Sequence, residues 1–170
     1  GTLFGGCAMG GAVRFLSNTP AATQHTSAIG ADVSATEDGG TNYELNAMAN
    51  VAIVEDKLAF RIVGSYRDND GFIDRTIGDF SGPNRSAIGD TTTREDIDDS
   101  DFWAVRAMLE ANPTPELMAR LTYVTQETNA NALSVFDSVP GEAEQRRPAD
   151  VPDFFKDNFV MFNVLVNYDA

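Results

Sequence analysis

The residue types that most often bind metal ions are concentrated in one acidic run. Five carboxylates fall within seven positions, namely Glu95, Asp96, Asp98, Asp99 and Asp101. Ca²⁺ prefers several carboxylate oxygens supplied by a short loop. The run nevertheless lacks the glycine and the terminal glutamate of an EF-hand loop, and runs of charge usually face solvent. We expect a solvated loop here, with loosely held divalent cations as the alternative.

Side chains that could carry covalent chemistry are scarce. His25 is the only histidine, and no acid or nucleophile lies at a recognisable spacing from it, so a catalytic triad is unsupported. Cys7 is the only cysteine, which rules out an internal disulfide, and with His25 alone it cannot form a zinc site. The sequence therefore predicts no enzyme, no catalytic residue, no metal site and no cofactor.

Glycines crowd the first eleven residues, GTLFGGCAMGG. A phosphate-binding loop would need a preceding strand, a following helix and usually a Lys-Ser/Thr pair, whereas an alternating strand follows here. Nucleotide binding is therefore not expected. We expect instead that these glycines allow tight turns and close backbone packing, at Gly1, Gly5, Gly10 and Gly11.

The charge of the chain argues against nucleic acid as a partner. The formal net charge is −14, and the acidic residues are concentrated in loop-like stretches. Such a surface repels phosphates, and no basic patch interleaved with aromatic residues offsets it.

The elements that must position these residues are predicted to be strands. Apolar and polar residues alternate in six segments, at about 24–36, 43–53, 58–67, 102–111, 117–126 and 158–168. Short turns join the second strand to the third and the fourth to the fifth, and they predict that Ile53 pairs with Leu58 and Ala111 with Leu117. In both hairpins the apolar rows then share one face of the sheet. The fold class predicted is all-β, an antiparallel up-and-down meander.

The two ends of these hairpins are very unequal. Four or five residues close one end, whereas the other end carries a Gly-Gly turn at 37–42 and a long acidic loop from Asp68 to Asp101. Short turns at one end and long polar loops at the other are typical of membrane-spanning barrels. No run of about 18 apolar residues exists for a transmembrane helix, but a transmembrane strand needs only about 9 to 11 residues.

A barrel wall makes specific predictions for single side chains. Aromatic residues near strand ends would form an interfacial girdle, namely Tyr43, Tyr66, Trp103, Tyr123 and Tyr168. The opposite face would carry lumen-facing charges, namely Glu44, Arg61, Arg106 and Arg120. We expect these arginines to pair with nearby carboxylates, because an unpaired charge in a crowded lumen is costly.

A helical alternative competes over Phe102–Gln126. Thr114, Pro115 and Glu116 resemble a helix start, and good helix formers follow. A helix hairpin there would indicate a mixed soluble domain.

Two motifs resemble one family. The run Gly1-Thr2-Leu3-Phe4-Gly5, then Met9-Gly10-Gly11, then the alternating strand that ends at Pro20 resembles the end of the plug domain of TonB-dependent outer-membrane receptors. Downstream, Val54 to Asp74 is similar to the third barrel strand of that family and the start of its outer loop. Cys7 departs from the pattern, since the family more often has a small or polar residue there.

The resemblance implies a fold and a function. Residues 1–20 would be the end of the plug, and 21–170 about six strands of a 22-stranded barrel, a fragment of the receptor. The family imports a scarce ligand across the Gram-negative outer membrane, most often a ferric siderophore or other iron complex and sometimes cobalamin, haem or a sugar. Implied partners are the TonB protein with its inner-membrane complex, and outer-membrane lipid and lipopolysaccharide. The alternative is a soluble secreted β-rich module whose acidic loops bind calcium or carbohydrate.

Overall fold

The computed structural model describes residues 16–138 and 143–169. Within those ranges the chain forms nine strands and no helix: β1 (Thr26–Ala35), β2 (Thr41–Val54), β3 (Leu58–Asn69), β4 (Asp74–Ser81), β5 (Ser86–Arg94), β6 (Ser100–Thr114), β7 (Leu117–Ala130), β8 (Glu144–Arg147) and β9 (Phe155–Tyr168). The glycines of the plug-like motif, Gly1, Gly5, Gly10 and Gly11, lie outside the described residues.

Six of these strands form one antiparallel sheet in the order β1-β2-β3-β6-β7-β9. They correspond to the six segments in which alternation predicts strands, and the meander order is confirmed. The helix hairpin over Phe102–Gln126 is wrong, because that segment is β6 and β7. Its helix-start signals are local, whereas β3 and β9 pair with the outer edges of this hairpin along its whole length.

The long acidic loop also contains structure that alternation does not predict. β4 and β5 form a hairpin inside it, and β8, which follows β7, pairs in parallel with β4 to complete a second sheet in the order β5-β4-β8. The long acidic loop predicted from Asp68 to Asp101 therefore contains two strands that the prediction did not include. Gly82, Pro83 and Asn84 mark the hairpin turn in the sequence, and Gly82 has the positive φ of 78° that favours glycine there.

Both predicted hairpin registers need a correction, at the turn alone in the first hairpin and along the whole ladder in the second. Leu58 pairs with Val54 instead of Ile53, because Ile53 is the extra residue of a bulge, while Val51–Phe60 and Leu45–Tyr66 pair as predicted. Ala111 pairs with Ala119 instead of Leu117, because β6 and β7 continue past a second bulge to the Thr114–Leu117 pair. In the β6–β7 hairpin the whole register is thus shifted by two residues, which keeps each side chain on its face, so the apolar rows remain aligned.

The Gly-Gly turn between β1 and β2 uses its glycines for close approach. Paired glycines in a turn are expected to supply a positive φ, but the residue of this turn that has one is Asp38, at 57°. A Cβ at Gly40 would overlap the Asp70 carboxylate, and one at Gly71 would overlap the main chain of Asp96. A Cβ at Gly39 would also overlap the Gly71 carbonyl oxygen, so the loop 70–98 packs against this turn partly through backbone atoms.

We predict that Gly71→Ala destabilises this loop packing by about 1–3 kcal/mol, the usual cost of forcing a methyl group into a filled space. Amide exchange at Ile97, whose N–H donates to the Ile73 carbonyl at 2.8 Å, would report the change. Gly30→Ala is the matched control, since nothing lies within 4 Å of its Cβ position. Equal protection in the two variants would contradict the packing.

Candidate functional site

One face of the large sheet is an exposed apolar surface. Its residues lie in cross-strand rows, one of which runs Val51, Phe60, Leu109, Leu121 and Val164. Val164 is 69% exposed and Leu121 is 45% exposed. The same face continues on β1 with Ile29 and Val33, which are also exposed. The apolar face defined by these rows therefore crosses all six strands.

The size of the apolar face exceeds what soluble monomers usually tolerate. Six strands at about 4.8 Å spacing span about 29 Å, and Leu58 to Tyr66 covers about 27 Å at about 3.4 Å per residue, giving an area of about 800 Å². The largest apolar patch on a typical soluble monomer is about 300–600 Å². A surface of this extent indicates contact with an apolar environment or partner.

Aromatic side chains lie at both margins of the apolar face. Tyr66 and Trp103 are register partners at the end near the long loops, and Tyr43 lies two residues beyond the partner of Tyr66 on β2. At the short-turn end, Tyr168 pairs with Leu117. Tyr123 is the exception. It packs against Phe162 in mid-strand, with ring centroids 4.8 Å apart, because β7 continues to Ala130.

The opposite face carries the charges predicted to face a lumen, together with apolar side chains such as Met108, Val124 and Leu165. We name it the polar face. Glu44 pairs with Arg67 at 2.9 Å, and Arg120 pairs with Glu110 at 2.7 Å. For Arg120, the expected pairing with a neighbouring carboxylate is thus present. Arg61 lies on the same face, in register with Asn50 and Met108.

A chain segment crosses this polar face ahead of β1. Asn50 is 2% exposed, and its amide accepts from the Ala21 N–H at 2.9 Å and donates to the Ala21 and Gln24 carbonyls at 2.9 and 2.8 Å. Arg106 donates to the Ser17 hydroxyl at 2.6 Å. These contacts fix residues 17–24 against the sheet. Sequence reasoning missed the role of Asn50, since its partners are backbone atoms.

The acidic run is less solvated than the sequence predicts. Asp98 is buried, and one of its carboxylate oxygens accepts from the Phe72 and Ile73 N–H groups at 2.8 and 2.9 Å. Asp99 and Asp101 accept from Asn131 and Asn129. The expectation of a solvated loop is wrong for Asp98, which instead organises the chain that enters β4.

Asp96 is a member of this run whose ionised carboxylate is destabilised by its surroundings. It has a positive φ of 53°. Burial, together with the nearby charges of Asp70, Asp74, Glu95 and Asp98, raises the pKa of the Asp96 carboxyl. With Asp38, Phe72 and Glu144, it lines a cavity of 630 Å³ that is bordered mainly by carboxylates.

Arginines hold the second sheet together. Arg75 is buried and donates to the Gln145 side chain, to the Val151 carbonyl and to Asp153. Arg146 donates to the carbonyls of Asn84 and Arg85, which ties β8 to the β4–β5 turn. The role of buried Arg75 was not predicted, because the residues around it in the acidic loop show no regular alternation of apolar and polar types.

Asp137 is stabilised as a carboxylate by the same group of arginines. Burial by itself raises the pKa of Asp137, but the Arg146 N–H and the Arg147 guanidinium more than offset that effect and lower it overall. Because the pKa of Asp137 is lower in the folded state than in the unfolded state, the ionised carboxylate stabilises the fold at pH values above the ordinary pKa of an aspartate. This stabilisation is lost as the pH falls through the lowered pKa of the folded state.

The structure also places the lone histidine and bears on metal binding within the described residues. His25 is exposed just before β1. No three His, Cys, Asp or Glu side chains in 16–138 and 143–169 are grouped so as to hold a metal ion. No helix in those ranges is long and apolar enough to cross a membrane.

Comparison of the chain with known protein families, with curated proteins and with solved structures returns no match.

We predict that Asn50→Leu releases the segment 17–24 from the sheet. Removing the amide leaves one N–H and two carbonyls without partners, each costing about 1–3 kcal/mol if it stays buried. Exchange of the Ala21 amide should accelerate tenfold or more. Asn46→Leu is the control, because Asn46 lies on the same face but is exposed. Unchanged exchange in Asn50→Leu would contradict the contact.

We predict that Asp96→Asn stabilises the loop 70–98 at pH 7 and has a smaller effect at acidic pH. The folded-state pKa of Asp96 is raised, so the ionised carboxylate destabilises the fold, and protonation removes that cost as the pH falls through the raised value. Asparagine also tolerates positive φ. Amide exchange measured between pH 7 and pH 4 checks this.

Asp90→Asn, at an exposed position in β5, is the control for the loss of one charge. A benefit from Asp96→Asn that grows on acidification would contradict the explanation.

Proposed function

We propose that this chain is a fragment of a TonB-dependent outer-membrane receptor, with the end of the plug at 1–20 and strands of the barrel wall after it. The observation that carries the proposal is the apolar face, which crosses six long antiparallel strands opposite a polar face. Strands of 10 to 15 residues in this sheet suit a membrane, since about 9 to 11 residues cross the hydrocarbon core.

The segment on the polar face supports the same interpretation. In such a receptor the plug lies inside the barrel, so the chain that leaves the plug must cross the lumen side of the wall before entering the first strand. Residues 17–24 include the end of the plug-like motif and lie on the polar face of this sheet through Asn50 and Arg106. If the apolar face lined the lumen instead, residues 17–24 would be expected to cross the apolar face.

The mechanism we propose is binding and conformational gating, without bond chemistry. A scarce ligand binds the long loops and the plug, and the TonB protein with its inner-membrane complex supplies the work that moves the plug. The resemblance implies a ferric siderophore or other iron complex as the ligand class. In this mechanism Asn50 holds the plug exit to the wall, so that motion of the preceding residues leaves β1 in place.

The rival is a soluble secreted β-rich module that binds calcium or carbohydrate through its acidic loops. It requires that the apolar face be covered by another layer of protein. The second sheet does not provide that layer among the described residues, because the apolar rows remain exposed while β4, β5 and β8 contact only one another among the strands.

We predict that Leu121→Arg prevents assembly of the complete protein in the outer membrane, because a lipid-facing arginine near the midplane costs about 2–4 kcal/mol. Thr122→Arg should be tolerated, since Thr122 is the next residue of β7 and lies on the polar face with Met108 and Asn163. The readouts are the amount in the outer-membrane fraction and resistance of the folded form to detergent. Equal tolerance of both substitutions would refute the wall assignment.

A further inference from the structure

A cleft lies among the loops at the end of the sheet opposite the short turns. It is bounded by the chain entering β6, by residues 131–133 after β7 and by residues 151–155 leading into β9. One part has a volume of 550 Å³, and an adjoining part of 420 Å³ shares Pro152, Asp153 and Phe154 with it. We name these two parts together the loop cleft. Small-molecule sites usually have volumes of about 300–1,000 Å³.

The floor of the loop cleft consists of polar groups that are already held in place. Asp153 accepts from buried Arg75 at 2.8 Å, and Asn131 donates to Asp99 at 2.7 Å. Arg94, which also lines the cleft, donates to Asp150 at 2.6 Å. Carboxylate oxygens accept more than one hydrogen bond, and amide and guanidinium groups carry several N–H donors. Donors and acceptors are therefore available side by side.

The wall of the loop cleft is apolar. Phe154 is 78% exposed, and Leu133 and Phe155 are also largely exposed beside it. Large side chains exposed this far at the mouth of a cavity gain from contact with the carbon-bound hydrogens of a ligand. A polar floor beside an apolar wall requires a ligand with both kinds of surface.

Charge decides between the ligand classes that have both kinds of surface. The lining includes four carboxylates and two guanidiniums. The surrounding connection 70–99 has eight acidic and three basic residues, and the connection 131–154 has five acidic and two basic. This field repels an anionic ligand. A metal cation lacks a site here, because Asp153 is held by Arg75, Asp99 by Asn131, and no three acidic side chains of the described residues are grouped to hold an ion.

We infer that the loop cleft binds a neutral, hydroxyl-rich ligand, namely a saccharide. Each hydroxyl both donates and accepts a hydrogen bond, which matches the paired groups of the floor, and the C–H face of a pyranose ring stacks on Phe154. The binding step stands on the cleft alone, and only the import of the saccharide rests on the proposed function. For this chain a neutral saccharide replaces the anionic iron complexes among the ligands that the resemblance implies.

The experiment measures binding to the complete protein purified in detergent. The probes are an array of neutral oligosaccharides, the same array carrying uronic acids, and ferric citrate. We expect at least one neutral oligosaccharide to bind, uronic-acid forms to bind at least tenfold more weakly, and ferric citrate not to bind. Absence of binding by every neutral oligosaccharide, or preference for ferric citrate, would overturn the inference.

Variants locate the binding in the loop cleft. Phe154→Ala and Asn131→Ala should each weaken binding about tenfold or more, as removal of a central contact does. Phe154→Trp should retain binding, which separates loss of stacking from loss of folding. Phe136→Ala is the control, because Phe136 is 53% exposed in the same connection but does not line the cleft. Full binding by Phe154→Ala would overturn the inference.

The two proposals fail in different ways. A protein that assembles in the outer membrane but binds no saccharide retains the proposed function and loses the ligand class. A protein that binds a saccharide through Phe154 but tolerates Leu121→Arg retains the cleft and loses the membrane wall.

Discussion

The whole architecture depends on continuous backbone pairing across six strands. Residues paired in an antiparallel ladder point to the same face, so a two-residue alternation in one strand is transmitted to its neighbours as long as the register holds. β3 illustrates this, since it pairs with β2 on one side and β6 on the other over nearly its full length. A sheet with one apolar and one polar face follows directly.

On the polar face, two arginine charges are neutralised by carboxylates of neighbouring strands. Arg67 and Arg120 each pair with a carboxylate on a neighbouring strand, and Asn50 satisfies the backbone of the segment that crosses it. Such pairs contribute little to stability when exposed to water, but they neutralise part of the charge on a surface that must accommodate another part of the chain. The apolar face needs no ion pairs of this kind, because its cross-strand rows consist of apolar residues.

Alternation made the large sheet predictable and left the loops unpredictable, for one physical reason. In β2, β3, β6 and β7 one face is apolar, so the period appears in the residue types. In the second sheet the buried positions include Arg75 and Gln145, whose polarity conceals their burial from a hydropathy pattern. The bulges at Ile53 and near Pro113 make the observed pairs differ from the predicted ones. They were not predicted, because an extra residue in a strand does not change its composition. The Asn50 contacts and the loop cleft depend on distant backbone atoms and could not be read from the local sequence.

The parallel pairing of β8 with β4 has a consequence for the order of folding. Arg75 meets Gln145 across 70 positions of the chain, whereas β4 and β5 meet through a local turn. Closing so large a loop costs chain entropy that only the completed contacts repay, so topology makes this step slow. The hairpin of β4 and β5 can form as soon as both strands exist, but the loop cleft, whose floor depends on Arg75, matures only after the meander has brought residue 144 back. The loop cleft is thus among the last parts of this chain to take its final form.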